Sequence, residues 1–162
     1  MSLVIGINKS KQISKWCEYK DDKGNVLAEF EINGIDYKPY KVAIERASNQ
    51  ISSNGFNVET ATTENKLYHE LLLDACACHL IKNWKKVTFS IDGEETEMPY
   101  TPENAMTLLN MGDIGVAIWH FVKTESEKMQ KEADAFKVEM VGKSNSSTDG
   151  QNMEMKEQPR EA

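Results

Sequence analysis

Cysteine is scarce, with 3 in 162 residues. An odd and low count argues against a disulfide-stapled scaffold and fits a reducing, cytoplasmic setting. The N-terminus shows no basic segment followed by an apolar core, and Met1 to Ile7 is apolar but too short for a secretory signal. Long apolar runs are also missing. The longest, Leu71 to Ile81, is broken by Asp74 and His79, so no membrane span is expected. Cations are outnumbered: 19 Lys and Arg against 26 Asp and Glu give a net charge of −7 and a pI near 5.1. Nucleic-acid affinity rests on clustered Lys and Arg, so a phosphate-binding role is disfavoured and protein partners are favoured.

Catalytic signatures are absent as well. There is no Gly-x-Ser-x-Gly elbow, no Gly-rich phosphate loop and no Cys with an evident His and Asn arrangement. Cys76-Ala77-Cys78-His79 invites a metal. On a helix, however, residues two apart point about 200° away from each other, so Cys76 and Cys78 do not share an ion. Cys76 and His79 alone are too few ligands for structural zinc. The sequence therefore gives no reason to expect an enzyme, a metal or a cofactor.

What is present fits one globular domain over 1–141 and a tail over 142–162, with 40% hydrophobic and 8% aromatic residues. Val4, Ile5 and Ile7 form a strand or a loosely held arm. Trp16 to Tyr19 reads as a strand, Asp21 to Asn25 as a turn, and Val26 to Asn33 as a second strand with Val26, Ala28 and Phe30 on one face. Asp36 is placed to cap a helix that tolerates Pro39 in its first turn; Tyr40, Ala43, Ile44, Ala47 and Ile51 make its buried face. Ser52 to Gly55 ends it. The spacing predicts the longest buried helix over Glu64 to Trp84, apolar nearly all round and so central to the fold.

Residues 84–109 organise the rest. Val87, Phe89 and Ile91 alternate as a strand, Asp92-Gly93 is a tight turn, and Glu94 to Met98 returns as a second strand. This pair is expected to join the first hairpin in one antiparallel sheet. Pro99 stops the pairing. Thr101-Pro102-Glu103 is a helix start: a capping hydroxyl, a proline at the first helical position, and an acid on the positive end of the dipole. Gly112 closes that helix, and Asp113 opens another, to about Met140. Along it Trp119, Val122, Met129, Ala133, Phe136 and Met140 follow alternating steps of three and four, with Ser126 in the one polar slot. This is a heptad seam about three repeats long. It reads either as a self-association or partner-binding face, or as an amphipathic helix docked on its own domain. In the first case Met129→Asp with Phe136→Asp leaves the fold intact and abolishes assembly. From Gly142 onward Ser, Asn, Thr, Gly and Glu dominate, and too little apolar surface is present to offset the entropy of ordering, so this tail is expected to be disordered.

Two segments together resemble the tail assembly chaperones of long-tailed bacteriophages. One is Gly34-Ile35-Asp36 followed by Ala43-Ile44-Glu45-Arg46-Ala47. The other runs from Trp84 through Asp92-Gly93 to Pro99-Tyr100-Thr101-Pro102-Glu103-Asn104-Ala105 and Leu108-Leu109. The resemblance covers roughly 26–140; the first 25 residues have no counterpart in it, and Lys86 to Met98 is more β-like than its short acidic turn. It implies an α+β fold, mainly helical, with about four helices and a small antiparallel sheet. It also implies a non-enzymatic protein that coats the tape measure protein in the bacterial cytoplasm, helps recruit tail tube protein, forms a homo-oligomer and is absent from the finished virion. The motif residues would be mainly structural. A different class of function fits the same composition: an acidic adaptor or regulator binding one protein partner. A metal or redox sensor built on Cys76 and His79 ranks below both.

Overall fold

The computed structural model describes residues 2–4, 13–53 and 58–144, the last helix beyond residue 135 by its backbone alone. The elements run β1 (Ser14–Lys20), β2 (Val26–Asn33), α1 (Lys38–Ser53), a 3-10 turn (Val58–Thr60), α2 (Tyr68–Ala75), a π turn (Cys76–Leu80), β3 (Ile81–Lys85), β4 (Thr88–Ile91), β5 (Glu94–Glu97), α3 (Pro102–Leu109) and α4 (Gly112–Ser144). The class is α+β and mainly helical, as expected. Ile5 and Ile7, Asn54 and Gly55, and the tail from residue 145 lie outside the described residues; 142–144, assigned to the tail from sequence, close α4.

The first hairpin forms for local reasons. Asp21 accepts bonds at one carboxylate oxygen from the Lys23 and Asn25 amides, at 2.9 and 2.8 Å, and at the other from Asn25 Nδ2. Gly24 takes φ +86° in that turn, where a side chain would be strained. The inner face of β2 then supplies Ala28, Phe30 and Ile32, the last two fully buried. Helix α1 covers part of this core as its periodicity requires, with Tyr40 and Ala47 buried. It begins at Lys38, so Asp36 lies in the preceding turn and not at the cap.

The expected helix over 64–84 is overturned. It starts at Tyr68, ends as α2 at Ala75, widens into the π turn, and becomes a strand at Ile81. The Ile81 amide donates to Cys76 O, five residues back. Two other turn carbonyls find side-chain donors from distant elements: Asn33 Nδ2 donates to His79 O at 2.8 Å, and Tyr100 OH to Ala77 O at 2.8 Å. These bonds satisfy groups that a helix end leaves bare. Past the turn, Ile81 and Trp84 pair opposite Ile32 and Phe30 of β2 and are 1% and 5% exposed. Apolar periodicity does not distinguish a buried helix from a buried strand over so short a run. Pairing with the open edge of β2 decides it.

The sheet also differs from expectation. It is a three-stranded antiparallel sheet in the order β1-β2-β3, while β4 and β5 form a separate two-stranded hairpin. Asp92 and Gly93 turn that hairpin with φ +53° and +82°, the double positive-φ geometry that an Asp-Gly pair supplies. Phe30 is the hub of the core. Its ring stands edge-on to Tyr19 and Trp84, with centroids 6.4 and 6.2 Å away, and Phe121 of α4 lies 6.3 Å off.

Helix α4 leaves α3 at a tight corner. Gly112 takes φ +62°, and Gly115 packs on the end of α3 so closely that a Cβ would meet Leu108 O at 2.8 Å and Leu109 O closer still. The helix then crosses the sheet. Ser126 Oγ donates to Asn33 O at 2.6 Å, and the Ile35 amide donates back to Ser126 O at 3.3 Å. The polar slot of the heptad seam is therefore a specific bond between α4 and the end of β2.

Candidate functional site

The motif residues from Trp84 to Ala105 form a structural corner. Trp84 on β3 donates its indole N–H to Met98 O at 2.8 Å and stands edge-on to Tyr100, centroids 5.3 Å apart. Tyr100 reaches the π turn as described. Thr101 Oγ1 accepts from the Asn104 amide at 3.0 Å, Asn104 Nδ2 donates to Pro99 O at 2.9 Å, and Ala105 is fully buried. Pro102 and Glu103 take their predicted places in the first turn of α3. This corner ties β3, the hairpin exit and α3 together, and its polar groups are spent on one another.

The cysteines are poised for packing. Burial pushes the Cys76 thiol far up, and pushes Cys17 up to about 11, with Glu125 adding to the effect. Cys78 is raised by burial and then by Asp74, and burial lowers His79. Protonated thiols are poor nucleophiles and poor metal ligands. Among the described residues no three His, Cys, Asp or Glu side chains converge on a point that would hold an ion.

The heptad seam divides into parts. Val122 is fully buried and Met129 is 6% exposed, both in the chain's own core, and Ser126 is bonded to Asn33. Trp119 is half-buried, with the His69 ring edge-on at 5.7 Å. Ala133 is half-buried; Phe136 and Met140 lie on the continuing helix, their side chains outside the described residues. Met129 is thus not a surface residue, and Met129→Asp would place a charge in the core, so the expectation that the double variant stays folded is corrected. Beyond Met129 the backbone of α4 continues for about four turns to Ser144.

Open apolar surface lies elsewhere, where sequence reading did not place it. Helix α2 lies beside α3, with its C-terminal end at the α3–α4 corner. Asp74 bonds both Lys66 and Asn110, and His69 lies against Trp119. Leu67 and Tyr68 at the start of α2 are 66% and 43% exposed, and Met111, Ile114 and Val116 at the α3–α4 corner are 41%, 49% and 39% exposed. These residues occupy helix ends, where a periodic pattern read in isolation does not distinguish a buried from a solvent-facing position. A second feature is a groove of about 530 Å³ between α1 and α2, floored by Val42, Ala43, Ala47 and Leu71 and rimmed by Lys38 and Arg46.

Compared with known proteins, residues 35–143, about two thirds of the chain, match the family profile described as YdaY prophage protein. The match runs from the turn before α1 to the end of α4. No curated protein and no solved structure matches the chain.

Proposed function

Because the chain belongs to the YdaY prophage protein family, and so is of phage origin, we propose that it acts in tail morphogenesis as a tail assembly chaperone. In this reading it keeps apolar helices of the tape measure protein in solution in the host cytoplasm and helps bring tail tube subunits to them. The observation that carries the reading is the exposed apolar surface at the α3–α4 corner and at the start of α2. Five large apolar side chains stand in solvent at these two places on a chain of net charge −7. Exposed apolar surface of this kind marks a protein interaction site, and an amphipathic client helix would cover it with i, i+3, i+4 anchors. Met111 adds a flexible, polarizable side chain suited to varied apolar partners. The resemblance of 34–47 and 84–109 to tail assembly chaperones supports the same conclusion.

The test is co-expression with the long, helix-rich reading frame expected beside this gene. The chain should raise the soluble fraction of that client and co-purify with it. Leu67→Lys with Ile114→Lys, at two exposed positions, should abolish both effects while circular dichroism stays unchanged. A client equally soluble with and without the chain refutes the proposal.

One observation favours a second reading. The seam's Val122 and Met129 are used within the chain, as befits a monomeric acidic adaptor with a single partner. A defined 1:1 complex with a small protein, in place of many copies along a long client, would select it.

A further inference from the structure

The α1–α2 groove and the β4–β5 hairpin are complementary, and both belong to the same chain. We propose that the groove is the docking site for a second copy, filled by the tip of that copy's hairpin. The floor of the groove is apolar, and its rim carries Lys38 and Arg46, neither of which forms an ion pair among the described residues. Asp74, the carboxylate in the lining, is already engaged by Lys66. The groove is thus locally cationic on an acidic protein.

The hairpin shows the converse pattern. Every residue of β5 is exposed, and Ile91 at the tip is 56% exposed beside the Asp92-Gly93 turn. Asp92 follows it in the turn and Glu94 stands across from it, Glu95 and Glu97 line the opposite face of the same hairpin, and none of the four is in an ion pair among the described residues. An acidic hairpin with one exposed apolar side chain at its tip fits an apolar groove with two cations at its rim. Charge complementarity of this sort selects partner and orientation more than it adds raw affinity.

Because groove and hairpin are different patches, the contact is heterologous. Each copy offers a hairpin and receives one, so association runs head to tail and ends only where a ring closes. A ten-residue hairpin covers less area than a stable dimer needs, so assembly is weak and concentration-dependent. The inference goes beyond the chaperone reading and does not depend on it.

Light scattering after size exclusion, on the full chain over a concentration series, tests it. Wild type should rise above the 18.4 kDa monomer. Glu94→Lys with Glu95→Lys, the two carboxylates of β5 nearest the tip, and separately Lys38→Glu with Arg46→Glu, should each need at least about tenfold more protein to reach the same mass. The chain carrying all four substitutions restores opposite charges and should regain assembly. All four positions are exposed, and thermal melts confirm that each variant is folded. A wild type that stays monomeric, double variants that assemble like wild type, or a fourfold variant no better than the doubles would each overturn the proposal. Client solubility is read in a separate assay, so either idea can fail without the other.

Discussion

Replacing Asn33 probes the step that turns α2 into β3. Asn33 is 3% exposed, and its Nδ2 donates to His79 O at 2.8 Å. Asn33→Ala removes that donor and leaves the backbone, and so the Ser126 bond to Asn33 O, in place. The lost hydrogen bond costs about 1 kcal/mol, and a carbonyl left without a donor costs about 1–3 kcal/mol more. A total of about 2–4 kcal/mol is a large share of the roughly 5–15 kcal/mol that holds a domain together. At about 3–4 °C per kcal/mol for a domain of this size, the midpoint should fall by roughly 6–16 °C. Urea unfolding followed by far-ultraviolet circular dichroism measures the change directly, and the slope should not move, because the surface exposed on unfolding is the same. Asn33→Asp is the sharper control, since it keeps the size and abolishes the donor. Hydrogen exchange at the β3 amides should speed up in both variants. A loss below about 0.5 kcal/mol, with β3 protection unchanged, would refute the idea that this side chain fixes the end of the helix.

Other outcomes follow from the same geometry. Gly115→Ala should lose about 1–3 kcal/mol by thermal melt, although the swap usually gains helix propensity, because the new Cβ meets the Leu109 carbonyl. Met129→Asp should unfold much of the protein at 25 °C, whereas a chain ending at Ala135 should melt like the full chain, since Met129 is the last buried seam residue among the described residues. A chain ending at Thr124 should not fold stably, because it also loses Ser126. Burial, then the nearby cysteines, raises Tyr100 from 10.0 to about 12, and burial raises Cys17 from 9.0 to about 11. A raised pKa in an acid means the folded state holds its proton longer than the unfolded one. Stability from these groups is complete below about pH 9 and is lost between about pH 9 and 12. Tyr100→Phe should therefore be less stable at pH 7, by about 1 kcal/mol for the lost bond, and flatter between pH 10 and 12 in a series of melts.

What the sequence determined by itself is the structure whose causes lie within a few residues. The Asp21–Asn25 turn, the Asp92-Gly93 turn and the Thr101-Pro102-Glu103 helix start are each set by side chains that bond their own neighbourhood, so spacing alone locates them. The buried faces of β2 and α1 are legible for the same reason. The tertiary structure decided everything that depends on a distant partner. Leu80, Ile81 and Trp84 fit a helix or a strand equally well until β2 offers a free edge and Asn33 and Tyr100 take the loose carbonyls. The heptad seam fits a coiled coil equally well until Val122, Ser126 and Met129 meet the chain's own sheet. Which apolar groups remain outside is likewise a remainder, fixed only after the core has taken its share. For that reason the exposed start of α2, the α3–α4 corner and the α1–α2 groove, the surfaces proposed to bind, were the least legible features in the sequence.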